Sequence, residues 1–154
     1  MFIGCIKLFC FGSSHQEKEQ RISFNFINKL VILDNGAKLP NPHDKNAMDE
    51  FIKKINTISN TILGGSIHFI LYNPNEQFDK TTNSIQYVIH MCNTKSLLII
   101  HKLNFIFHYD QTHDKTVLHI IPSQNEMIST SQWSFIESLF YNMRFRIKKI
   151  YQTN

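Results

Sequence analysis

The stretch HKLNFIFHYDQTHDKTVLH, from His101 to His119, brings four histidines and two aspartates into one short segment. Imidazoles and carboxylates at this density are what a metal centre or an acid/base site is made from, because histidine titrates near neutrality and ligates metals when neutral. Such chemistry requires the groups to converge. The segment reads as a β-hairpin, with Leu97, Ile99, His101, Leu103, Phe105, Phe107 and Tyr109 on one face of its first strand. Leu98, Ile100, Lys102, Asn104, Ile106, His108 and Asp110 share the other face. The first set is the core face, so His101 and His108 point to opposite sides and cannot hold one ion.

His108 and His119 remain as a pair. If residues 111–114 form the loop, Asp110 opposes Lys115, Tyr109 opposes Thr116 and His108 opposes Val117. His119 then lies diagonally across from His108, roughly 7 Å away in Cα terms. A slip of one residue would send His119 to the Phe105 and Phe107 face. Even in the favourable register only two imidazoles and one carboxylate meet, without the helical H-E-x-x-H or thiolate spacing of strong zinc motifs. The segment is therefore read as a hairpin with a polar outer face, and no metal or cofactor is assigned. His113-Asp114 reads as turn chemistry.

No other catalytic pattern stands out: G-x-S-x-G, the phosphate-cradling P-loop and the dinucleotide G-x-G-x-x-G are all missing from the sequence. Cys5, Cys10 and Cys92 form no C-x-x-C pair and are odd in number, which signals neither a disulfide framework nor a thiolate zinc site. They read as small buried hydrophobes in a reducing compartment. No catalytic residue is assigned, and the chain leans away from enzyme function.

The net charge of +4 is concentrated. Without Arg144, Arg146, Lys148 and Lys149 the chain carries 12 basic against 12 acidic residues. Nucleic-acid affinity comes from several simultaneous phosphate contacts, so a neutral body with one basic tail fits at most a local or assisted contact with single-stranded nucleic acid or another anion. Those four residues are the candidates for it. The plainer reading is a solvated helix end whose charges offset the helix dipole.

These groups must be carried by a core, and 154 residues with 42% apolar content suffice for one domain spanning 1–154. The N-terminal MFIGCIKLFCFG lacks a basic leader and Lys7 interrupts it, so it reads as a strand. No stretch approaches the ~18 apolar residues of a transmembrane helix. Ile22, Phe24 and Phe26 alternate with polar residues, and apolar character continues through Leu30 to Leu33, ending at the turn signal Asp34-Asn35-Gly36. Met48, Phe51, Ile52, Ile55, Ile58 and Ile62 fall at helical spacing over about 46–63, with Asp44 or Asn46 as cap and Gly64-Gly65 as stop.

Four strands follow, SIHFILY, SIQYVIHMC, KSLLIIHKLNFIFHYD and TVLHIIP, whose short polar links favour an antiparallel meander. A C-terminal amphipathic helix is predicted over about 130–147, capped by Ser129, Thr130 or Ser131. The fold class is α+β, a mainly antiparallel curved sheet or a small OB-like β-barrel with two helices.

The C-terminal helix is apolar around much of its circumference. Phe135, Leu139 and Phe145 lie off the main stripe of Trp133, Ile136, Phe140, Met143 and Ile147. That excess points to a second contact surface, with Trp133, Ile136, Leu139, Phe140 and Met143 as candidate partner-binding residues. The expected function is a non-catalytic, intracellular subunit of a protein complex, nuclear or cytoplasmic, in the form of an OB-type accessory subunit of a single-strand nucleic-acid-binding complex. Phe69, Tyr72, Phe78 and Tyr87 would then be the base-stacking aromatics. The alternatives are a longin-like or profilin-like adaptor in trafficking or the cytoskeleton, and a histidine-dependent hydrolase or metal protein.

Overall fold

In the computed structural model, residues 27–72, 77–79, 83–110 and 114–151 are described. The strand expected at the N-terminus, with Cys5 and Cys10, and the alternating Ile22, Phe24 and Phe26 lie outside them. The elements are β1 (Ile27–Leu33), α1 (Lys45–Leu63), β2 (Ile67–Leu71), β3 (Gln77–Asp79), β4 (Ser84–Asn93), β5 (Ile99–Asp110), β6 (Lys115–Pro122), α2 (Thr130–Asn142) and β7 (Arg146–Tyr151).

One antiparallel sheet contains every strand, in the order β2-β4-β5-β6-β1-β7. The short β3 pairs with the same edge of β4 as β2 does, so β2 and β3 form one interrupted edge strand. The meander from β2 through β6 is as expected. β1 then pairs antiparallel with β6, and β7 with β1. β2 and β7 lie at opposite ends, so among the described residues the sheet is open. The OB-like barrel is replaced by an open antiparallel sheet.

Period-2 alternation puts Leu30, Ile32, Phe69, Ile85, Tyr87, Ile89, Met91, Leu103, Phe105, Phe107, Leu118 and Ile120 on one face, all buried in one core. Both helices cover this face. α1 buries Met48, Phe51, Ile52 and Ile55, and α2 buries Trp133, Ile136, Leu139 and Phe140. Phe51 joins the layers, with its ring 6.2 Å from Phe107, 6.2 Å from Phe140 and 6.5 Å from Phe145. Edge-on and tilted contacts at these separations add to the gain from burying the rings.

The helix ends follow local chemistry. Asp44 caps α1 by accepting the Asn46 and Ala47 amides, and Gly64 closes it in the left-handed conformation at φ 63°. Ser129 and Gln132 form a capping box at the start of α2. The C-terminal helix, however, stops at Asn142 and does not continue to 147. Arg144 turns left-handed at φ 70°, and the Phe145 amide donates to the Phe140 carbonyl at 3.0 Å, bringing Phe145 back into the core. From Arg146 the chain runs as a strand beside β1. The expected helix end with its dipole-facing cations is therefore a basic edge strand.

α1 also closes one edge of the sheet. The Asn56 carboxamide donates to the Phe69 carbonyl at 2.9 Å and accepts the Phe69 amide at 2.7 Å, taking the place of a neighbouring strand. Ser59, fully buried, donates to the Ile67 carbonyl at 2.8 Å. Replacing Asn56 with Leu leaves both Phe69 groups unpaired and should cost about 1–3 kcal/mol. Lys54→Leu, on the exposed side of α1, should change stability by less than ~0.5 kcal/mol in the same urea titration. Equal losses would show that the carboxamide does not hold the edge.

Candidate interaction surface

The β5-β6 hairpin adopts the favourable register: Asp110 pairs with Lys115, Tyr109 with Thr116, His108 with Val117 and Ile106 with His119. His108 and His119 are therefore diagonal neighbours on the face opposite the helices, with ring centroids 6.1 Å apart. His119 lies between Val31 of β1 and Ile106 of β5. Burial on this apolar bed, with lesser contributions from Lys29 and His108, holds its imidazole down at about 4. His119 is thus neutral near pH 7, but among the described residues no group of three histidine, cysteine or acidic side chains gathers around an ion. Two imidazoles beside a lysine make a poor cation site.

His101 behaves differently from its reading as a histidine among apolar neighbours. It points to the core side and is almost buried, with Nδ1 2.8 Å from Glu126 Oε1 and Nε2 2.7 Å from Gln132 Oε1. Gln132 Oε1 also accepts the Ser129 amide, which fixes the carboxamide with its oxygen toward the ring. Both ring nitrogens are thereby engaged, one by a carboxylate oxygen and one by a carboxamide oxygen. The arrangement clamps β5 to the start of α2. Neither Glu126 nor Gln132 is marked by proximity in sequence to His101. The available signal was the S-x-x-Q capping pattern at Ser129, which places a glutamine carboxamide at that helix end.

The remaining reactive groups are occupied structurally. Cys92 is buried on the open face, where burial pushes its thiol up and away from the nucleophilic thiolate. His90 stacks on Tyr72 with centroids 4.1 Å apart, and burial together with Lys102 lowers its affinity for a proton. A cleft of about 630 Å³ between α1 and β2 is lined by Asn56, Asn60, His68, Ile70 and Thr94 among others. No hydrogen bond or ion pair joins His68 to Asp49, the acid lining the same cleft.

The expected partner-binding residues are placed in the chain's own core. Trp133 is 1% exposed, Ile136, Leu139 and Phe140 are also buried, and Met143 is partly buried against them. The apolar circumference of α2 reflects enclosure by α1, β1 and β7, and Phe145 belongs to the turn beyond the helix. Of the four basic candidates, Arg144 sits in that turn and the other three in β7. Arg146 and Lys148 share the open face with His119, whereas Lys149 lies on the helix side and pairs with Glu137 at 3.2 Å. Phe69 and Tyr87 are core residues, Tyr72 covers His90, and the Phe78 side chain lies outside the described set. Phe69, Tyr72 and Tyr87 form no shared base-stacking platform.

What sequence reading did not single out is the open face as a whole. Val31, Leu33, Val88, Ile106, Val117 and Ile121 surround the histidine pair on adjacent strands, and Ile70 is 42% exposed toward one edge. Among the described residues, no helix is long and apolar enough to cross a membrane. Comparison with protein-family models, with curated proteins and with solved structures finds no match to this chain.

A histidine held at about 4 when folded, against 6.5 when unfolded, takes up its proton more readily in the unfolded chain. Its stability contribution is complete above pH ~6.5 and is lost as pH falls toward ~4. His119→Val should flatten the dependence of unfolding free energy on pH over that window, leaving the smaller slope due to His90. An unchanged slope would contradict the apolar placement of His119.

Proposed function

We propose that this chain is a non-catalytic, β-rich subunit of an intracellular multiprotein complex, and that it binds a protein partner through the face of its sheet opposite the two helices. The observation that carries this reading is the one-sided coverage by α1 and α2. A solvated antiparallel face ordinarily alternates to polar residues. Here branched aliphatics from β1, β4, β5 and β6 adjoin one another around a neutral histidine, a composition that marks contact surfaces.

The partner site expected on α2 moves to this face, because docking through Trp133 or Phe140 would require opening the core. An open sheet favours an adaptor of the trafficking or cytoskeletal kind over an OB-type accessory subunit. Service to single-stranded nucleic acid has less support, since Phe69 and Tyr87 are enclosed and three unpaired cations near β7 supply few phosphate contacts. A hydrolase reading has no aligned nucleophile and base behind it.

Affinity purification of the full chain from its native source tests the proposal. Wild type and a Lys54→Glu control should retain one partner protein at fixed stoichiometry, and Ile70→Glu or Val117→Glu should lose it while keeping the wild-type melting temperature within ~2 °C. A partner-free monomer, or a partner indifferent to both substitutions, would overturn it.

A further inference from the structure

The two edges of the sheet are finished differently. On β2 the outward backbone groups of Ile67 and Phe69 are taken by Ser59 and Asn56 of α1. On β7 the outward groups can be identified by following the hydrogen-bond alternation of antiparallel ladders across the sheet. The Ser123 amide donates to the Lys102 carbonyl at 3.0 Å, so Lys102, Asn104, Ile106 and His108 direct their backbone groups toward β6. The Tyr72 amide donates to the Val88 carbonyl at 2.9 Å, which fits the same alternation on the other side of β5. Through Ile106 with His119, and Ile120 with Leu30, the pattern turns Val31 and Leu33 toward β7. Their partners Lys148 and Arg146 bond back to β1. Ile147 and Lys149 are left with amides and carbonyls facing outward, and no strand lies beyond them among the described residues.

We infer that β7 accepts an acidic, extended segment of a partner protein as an added antiparallel strand. The inference rests on the reading of the chain as a protein-binding subunit and assigns it a mode and a ligand chemistry. The outward amides and carbonyls of Ile147 and Lys149 supply the ladder. Arg146 and Lys148 supply the selectivity: they project on the open face, neither has an ion-pair partner among the described residues, and they equal half of the chain's net charge of +4. An added antiparallel strand would meet Arg146, Lys148 and Ile150 at non-hydrogen-bonded positions, where opposed side chains come closest. Read from its own N-terminus, the incoming strand would carry an apolar residue opposite Ile150 and acidic residues opposite Lys148 and Arg146, at every second position.

The same cations select among occupants. Lysines on a sheet edge repel copies of that edge, which disfavours a second β7 in this place. A phosphate group would engage the cations and can accept from the outward amides, but it has no donor for the outward carbonyls, whereas an extended peptide satisfies both.

The test uses the full chain and a fluorescent ten-residue peptide in which valine is followed by alternating threonine and glutamate, with a lysine-for-glutamate peptide as control. The acidic peptide should bind, with added salt weakening it, and should slow hydrogen exchange at the Ile147 and Lys149 amides. R146E/K148E, which alters exposed side chains only, should bind it roughly ten-fold more weakly and bind the lysine peptide better. Equal binding of both peptides, or binding without slowed exchange at those amides, would overturn the proposal. So would binding of single-stranded oligonucleotide or anionic vesicles through the same two cations with no response to the acidic peptide. If a native partner is lost with Val117→Glu yet retained by R146E/K148E, the open-face reading stands and the edge proposal falls.

Discussion

The fold depends on the contact that Phe51 makes with three other rings. From the middle of α1 it reaches Phe107 on β5, Phe140 on α2 and Phe145 at the turn into β7, and Phe140 in turn lies 6.4 Å from Phe105. Aromatic rings bury large areas and lose little freedom, so one such cluster can fix the relative positions of several elements. Because β5 presents Leu103, Phe105 and Phe107 to a single side, both helices must gather there. Placing either helix on the opposite side would separate rings that now enclose one another.

From that constraint follow both features that bear on function. With both helices committed to one face, the other has no helix on it among the described residues and carries aliphatic residues around His119. With Phe145 drawn into the ring cluster, the chain cannot continue as a helix and turns back as β7. The basic residues are thereby lifted off a helix end and set along a sheet edge. α1, held in place by Phe51, lies close enough to β2 for Asn56 and Ser59 to occupy the opposite edge. One edge closed by side chains and one left open is the asymmetry from which the partner mode is argued.

Much of this was legible in the amino-acid sequence where a single period dominates. The alternation of Leu103, Phe105 and Phe107 identified the core face of β5, and of the two registers weighed for the hairpin the structure adopts the one with residues 111–114 as its loop, which pairs Asp110 with Lys115 and brings His108 near His119. Asp44 and Gly64 marked the ends of α1. The stop of α2 was hidden because Arg144 takes the left-handed turn that glycine usually supplies, so no breaker residue announced it. The stretch from Phe145 to Tyr151 matches helical and strand periods alike, and tertiary pairing with β1 decided between them. Asn56 carries no mark in the sequence, since nothing local shows that a carboxamide will replace a missing strand. The surplus of apolar residues on α2 was correctly noticed, but surplus alone does not distinguish enclosure by the same chain from contact with another.

The central claim is that the two edges differ, and residue-resolved native-state hydrogen exchange of the free protein measures this most directly. The account predicts slow exchange at Phe69, whose amide is held by Asn56, and at Lys148 and Ile150, whose amides are bonded to β1. It predicts fast exchange at the outward Ile147 and Lys149, giving an alternating pattern along a single strand. Uniformly slow exchange along β7, or fast exchange at Phe69, would contradict it.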